Sequence, residues 1–107
     1  MQESEEDFQG WVVDTLHTAG FLVYHPRPGQ SRTGRYSTPL QGDEGFPDIV
    51  AAKAARVIFA ELKSEKGQIR GTQSAWLAAL SQGPTETYVW RPRDREEIMG
   101  ILGLREA

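Results

Sequence analysis

The chain has 107 residues, 25% of them charged and 38% hydrophobic, with a formal net charge of −3. That composition and length describe one domain with one core, 1–107, and exclude a second; no apolar run approaches a membrane span. Cysteine is absent, which excludes disulfides, thiolate zinc sites and cysteine nucleophiles, and net acidity argues against a non-specific nucleic-acid coat protein.

The opening, Met1 to Asp7, is acidic, whereas a secretory leader opens basic and turns apolar; an intracellular, cytoplasmic setting is the plain expectation. Ser4 followed by Asp7 resembles a capping box with Asp in place of Glu. Phe8, Trp11, Val12, Thr15, Leu16 and Ala19 recur at helical spacing, and Gly20 is a good stop, so a helix is predicted over 4–19. Phe21 to His25 is a β-type run. Residues 26–44 contain Pro26, Pro28 and Pro39 with Gly29, Gly34 and Gly42 and show no periodicity. A loop this long is expected to contact substrate and to be mobile when free. From His25 to Arg35 the chain has Arg27, Arg32 and Arg35 and no acid. Arg91, Arg93 and Arg95 form a second basic cluster. Such groups either track phosphates on an otherwise acidic protein or are ordinary solvated arginines. His25 either touches substrate or caps the sheet; His17 falls on the solvated side of the first helix.

Ile49–Ala52 and Arg56–Leu62 are strand candidates close enough to form an antiparallel hairpin. Ala54-Ala55 is poor chemistry for a primed two-residue turn, and a four-residue loop with the same centre is equally open. Both strands are apolar on both faces, which predicts a sheet covered on each side. Gly67 and Gly71 bracket a loop, Thr72 is a candidate N-cap, and Trp76, Leu77 and Leu80 form the stripe of a second helix ending at Gly83-Pro84. Thr87–Trp90 reads as a strand. Asp94 with Glu97 suggests another capping box, with Ile98, Ile101 and Leu102 facing inward from a third helix. Trp11, Trp76 and Trp90 are read as packing residues. The predicted order, α-β-β-β-α-β-α, is an α/β domain with a mixed sheet.

Symmetry about the Ala54–Ala55 bond sets Asp48 opposite Glu61. Opposed side chains share a face, with Cβ atoms about 4.5–5.5 Å apart. Two carboxylates that close repel unless a positive charge lies between them, and hard oxygen donors suit Mg²⁺ or Mn²⁺. Period-two alternation places Lys63 on the same face and turns Leu62 into the core; the Leu62 carbonyl is a further candidate ligand. A lysine beside a carboxylate–metal site can hold a water or stabilise charge on a phosphate in transfer. The simpler reading is a surface salt bridge between Glu61 and Lys63. Phosphate loops of the Walker and dinucleotide types are absent, and no Ser–His–acid order presents itself.

Gly45-Phe46-Pro47-Asp48, Phe59-Ala60-Glu61-Leu62-Lys63-Ser64-Glu65, Gln73-x-x-Trp76-Leu77 and Val89-Trp90-Arg91-Pro92 occur in an order that resembles the VRR-NUC branch of the PD-(D/E)XK nucleases. Glu5-x-x-Phe8-Gln9 and Tyr24-His25 after Gly20 extend the resemblance across nearly the whole chain. It implies a restriction-endonuclease-like αβββαβ core and a metal-dependent DNA endonuclease. Asp48 and Glu61 would bind Mg²⁺ or Mn²⁺ with the Leu62 carbonyl. Glu5 would reach the metal directly or through water, Lys63 would position water or phosphate, and Gln73 would orient the lysine or substrate. Gln9 ranks behind these. Gly71-Thr72 departs from the pattern, which leaves the start of the second helix open. Stand-alone relatives of this size are associated with phages and bacteria, act as homodimers and resemble Holliday-junction resolvases. DNA contacts are expected from Arg27, Arg32, Arg35 and His25. Two other readings are a non-catalytic DNA-binding or assembly module on the same fold, and a hydrolase of small phosphate esters.

Overall fold

Ser4 starts the first helix: its Oγ accepts the Asp7 N–H at 3.0 Å, and α1 runs over Glu5–Thr18. The computed structural model describes residues 4–26, 29–30, 36–37 and 40–105. Phe8, Val12, Thr15 and Leu16 form the buried face of α1. Gly20, at φ 92°, turns the chain out of the helix. Lys53 Nζ donates to the Ala19 carbonyl at 2.6 Å, placing a cation at the negative end of the helix dipole.

The remaining elements are β1 (Leu22–Tyr24), β2 (Gly29–Gln30), β3 (Tyr36–Ser37), β4 (Ile49–Lys53), β5 (Arg56–Leu62), α2 (Gly71–Leu80), β6 (Glu86–Trp90), a single 3₁₀ turn (Pro92–Asp94) and α3 (Arg95–Ile101). The main sheet has the order β1-β4-β5-β6. Its first three strands are antiparallel, whereas β6 lies parallel to β5, with α2 as the crossover that a parallel pair requires. Among the described residues the result is a mixed α/β fold with a four-stranded mixed sheet flanked by three helices. Within the expected 26–44 loop, β2 pairs antiparallel with β3; strands of two residues are too short to leave a periodic signal. Arg27, Arg32 and Arg35, and the expected mobility of their segment, lie outside the described residues. No helix among the described residues is long and apolar enough to cross a membrane.

Lys53 pairs with Arg56, so the hairpin turns on Ala54-Ala55 alone, and Ala54 takes φ 52°. The poor turn chemistry is thus accepted as strain, and the register is the symmetric one. On one sheet face Ile49, Ala51, Ile58, Ala60, Leu62 and Trp90 join Phe8, Val12 and Leu16 of α1, with Ile98 and Leu102, in one buried core. The expected second covered face is only half made. Val50, Ala52, Val57 and Phe59 are half-buried, and Leu22 and Tyr24, paired with Ala52 and Val50, are 80% and 64% exposed. α2 is the cause: one helix about 10 Å wide cannot cover four strands spaced about 4.8 Å apart. Its expected stripe, Trp76, Leu77 and Leu80, is half-buried, and Gln73 is its one buried residue. Phe46 fills the seam, meeting Phe59 and Trp76 edge-on at 5.8 and 5.0 Å.

Candidate active site

The β4–β5 ladder is paired out to Ile49↔Ala60, and one step further the strands deliver Asp48 and Glu61 to the same end of the sheet. Asp48 closes that end with its side chain, Oδ2 accepting the Leu62 N–H at 2.9 Å. The approach to Asp48 is wedged against α2. Gly45 has φ 97°, and a Cβ there would lie 2.5 Å from the Thr72 carbonyl carbon and 2.8 Å from the Gln73 nitrogen. Only glycine allows that contact at that φ.

Helix α2 begins one residue before the expected cap: Arg70 is the N-cap and Thr72 already lies inside the helix. Gln73 Oε1 accepts the Arg70 N–H at 2.9 Å, the reciprocal half of a capping box. Its Nε2 then donates to Glu61 Oε2 at 2.9 Å. Gln73 therefore ties the start of α2 to the end of β5. Lys63 Nζ stands 3.8 Å from the same Glu61 oxygen. Leu62 is fully buried, pointing away from the site as its alternation predicts.

Glu61 is 2% exposed, and its Oε1 is buried without a hydrogen-bond partner. Ionised, a carboxylate in such a place is costly, so the free protein favours the protonated form, which shares a hydrogen bond with Asp48. Burial first, and the neighbouring Asp48 second, raise the Glu61 pKa from 4.5 to about 8, while Lys63 and Arg70 pull it back. A group that titrates near neutrality beside a second carboxylate is suited to exchanging its proton for a cation. The donors are hard oxygens, and Mg²⁺ is commonly held by one or two carboxylates, with water and substrate phosphate completing its shell. Asp48, Glu61 and the Leu62 carbonyl fit such an ion in kind.

Asp48, Glu61, Lys63 and Gln73 are thus assembled in one place. Glu5 lies exposed in the first turn of α1. Among the described residues no three His, Asp or Glu side chains form a metal-holding group. His25 follows β1 and lines a cavity of about 490 Å³ with Glu6, Gln9, Val13 and Asp14, on the α1 side of β1. The second basic cluster is mostly committed to the protein itself. Arg91 donates to the Ser64 and Gly67 carbonyls, Arg93 pairs with Glu65, and Arg95 lies over the rings of Phe8 and Trp11. The expected capping box at Asp94 is also redirected, because Asp94 Oδ2 accepts the Arg91 N–H at 2.8 Å. Arg70 was not singled out by the sequence reading. Its charge reaches Glu61, and only its place just before Gln73 hinted at that. Comparison with protein-family models, with curated proteins and with solved structures finds no match to this chain.

Proposed function

We propose that this protein is a metal-dependent DNA endonuclease whose reacting groups are Asp48, Glu61 and Lys63. The observation that carries the reading is the buried, unpartnered Glu61 Oε1, beside Asp48 and with Lys63 Nζ 3.8 Å from the other Glu61 oxygen. In the free protein Glu61 keeps its proton near neutrality and shares it with Asp48; a divalent cation held by the pair would take that proton's place and compensate both carboxylates. When bound, Mg²⁺ or Mn²⁺ supplies Lewis acidity and a more acidic water. Asp48 and Glu61 would hold it, Glu61 in its ionised form. Gln73 fixes Glu61 Oε2 by donating to it. Lys63 donates to a non-bridging phosphate oxygen, offsetting the charge that builds as water adds to phosphorus and the bond to the leaving sugar oxygen breaks. No enzyme nucleophile is needed, so no covalent intermediate forms.

The resemblance to VRR-NUC nucleases supports the same reading and adds a restriction-endonuclease-like core, branched DNA such as Holliday junctions as substrate, and a homodimer. A second copy gives a small domain the means to cut two strands symmetrically.

The test is cleavage of labelled four-way junction, flap, single-stranded and duplex DNA with Mg²⁺, Mn²⁺ or EDTA, comparing wild type with Lys63→Ala. We expect metal-dependent cutting that EDTA abolishes and that Lys63→Ala lowers about 10²–10³-fold. Junction binding without cutting in any metal would replace this reading with a DNA-binding module. Turnover of a small phosphate ester in place of DNA would replace it with an esterase.

A further inference from the structure

Arg91 sits in the basic cluster 91–95, yet its guanidinium is turned onto the backbone. Nη1 donates to the Ser64 carbonyl at 2.7 Å and the Gly67 carbonyl at 2.8 Å, with the Glu65 carbonyl at 3.4 Å. All three belong to the turn that follows Lys63. The backbone on either side of Arg91 holds the same segment. The Lys63 N–H donates to the Trp90 carbonyl at 3.0 Å, and the Arg93 N–H donates to Glu65 Oε1 at 2.7 Å. Residues 90–93 therefore grip residues 63–67 along their length.

The turn in its turn packs on the lysine. A Cβ on Gly67 would lie 3.4 Å from Lys63 Cδ and 3.0 Å from Ser64 Oγ, so the Gly67 backbone lies against the lysine stem. The Lys63 side chain is 14% exposed, well enclosed for a residue whose flexible four-carbon stem carries about 2 kcal/mol of rotamer entropy. Its aim at Glu61 depends on what encloses it. A guanidinium presents several donors in a rigid plane and can gather carbonyls around it, which a point ammonium does less well.

We infer that Arg91 is a positioning residue: it folds the 64–67 turn against the Lys63 stem and so fixes the lysine ammonium beside Glu61. Its charge is spent on carbonyls and does not contact substrate. The catalytic consequence rests on the nuclease reading; the placement of Lys63 does not.

The experiment compares Arg91→Met with wild type in steady-state cleavage, alone and combined with Lys63→Ala, and follows the NOE between the Lys63 δ-methylene and Gly67 Hα by NMR. We expect Arg91→Met to lose that NOE while keeping the sheet's amide spectrum. Its kcat should fall about 10–10²-fold with KM for DNA little changed, as a misplaced group requires, and it should fall no further in the Lys63→Ala background. Arg56→Met, which removes an arginine at the opposite end of β5, should change neither readout. Arg91→Lys keeps the charge and most of the stem and answers the same question, with a smaller loss, if Arg91→Met does not fold. A retained NOE, a loss confined to KM, or an additive loss on Lys63→Ala overturns the inference. A wild type that cuts no DNA, together with an NOE lost in Arg91→Met, sinks the nuclease reading and leaves the positioning role standing.

Discussion

Strand β5 has an acid–base group at each end, and the two are built to opposite standards. At the hairpin end Arg56 grips Glu86 through two bonds of 2.7 Å, and the Tyr88 hydroxyl donates to Glu86 at 2.6 Å. The bond from Arg56, first of all, holds the Glu86 carboxyl below its ordinary range, while burial and the bond to Glu86 push Tyr88 up to about 12. Every group there is satisfied at neutral pH. At the other end Glu61 has one amide donor, a lysine 3.8 Å away, an oxygen with no partner and a pKa of about 8. The better-paired carboxylate is the more exposed one, with 28% of its side chain accessible, and such pairs contribute little to stability. The buried one is completed in the free protein only by a proton that it shares with Asp48. An arrangement that lowers the stability of the free protein at neutral pH is expected where a ligand completes it.

The largest expected effect comes from finishing Glu61 artificially. Glu61→Gln keeps the shape and removes the charge, so cleavage should fall by at least about 10²-fold. Stability should respond in the opposite sense. In the wild type the folded pKa lies above the unfolded one, so the native state holds the extra proton between pH 4.5 and about 8. Unfolding free energy must then decline as pH rises through that window and level off above it. Thermal melts of the metal-free protein should show that decline in wild type and a flatter profile in Glu61→Gln. Mg²⁺ should restore wild type most strongly near the upper end. A wild-type profile as flat as the variant's would mean that Glu61 is not strained at all.

Next in size is the wedge that brings Asp48 and Gln73 together. Gly45→Ala forces a Cβ into the Thr72 backbone at a positive φ. The conformation alone costs about 1–2 kcal/mol and overpacking roughly 1–3 more, read as a lower urea midpoint with cleavage lost. Gly42→Ala is the control. Gly42 has φ 119° but open space around it, so it should lose only the conformational part and keep its activity. Equal losses at the two glycines would show that α2 is not braced against the 45–48 segment.

Breaking the satisfied end should matter least to chemistry. Arg56→Met removes both bonds to Glu86 from a side chain that is 39% exposed. Screening by solvent limits the cost to about 0.5–1 kcal/mol, with cleavage unchanged. A large loss of cleavage would mean that the two ends of β5 are coupled.

The hairpin was the most legible part of the molecule, because a centre of symmetry at Ala54–Ala55 fixes every pair outward to Asp48 and Glu61 whatever the turn type. Helix α1 was legible from its cap and spacing. The basic cluster 91–95 was not, since charge spacing carries no information about carbonyls far away in sequence: Arg91 reaches back to Ser64 and Gly67. Gln73 entered the site through a family resemblance, and what the structure adds is its partner. A glutamine at the third helical position would ordinarily serve the cap alone, and here its second polar atom reaches Glu61. The half-open sheet face was misread for a similar reason. Apolar residues on both faces of a strand say what could be buried, not how many helices are present to bury it.

The turn itself yields the smallest prediction and the one that isolates backbone from chemistry. Ala54 holds φ 52°, a conformation that costs an L-residue about 1–2 kcal/mol and glycine almost nothing. Glycine also gains freedom in the unfolded chain, which offsets part of that relief. Ala54→Gly should therefore stabilise the protein by under about 1 kcal/mol, seen as a small rise in Tm, while Lys53 and Arg56 stay paired and cleavage keeps its wild-type rate. Ala55→Gly, at the neighbouring position where φ is not positive, meets only the entropic loss and should destabilise. If both substitutions lower Tm, Ala54 is not strained in solution, and the two-residue turn gives way to the four-residue loop that the same centre of symmetry allows. Asp48 would still face Glu61, because the register does not depend on which turn closes it.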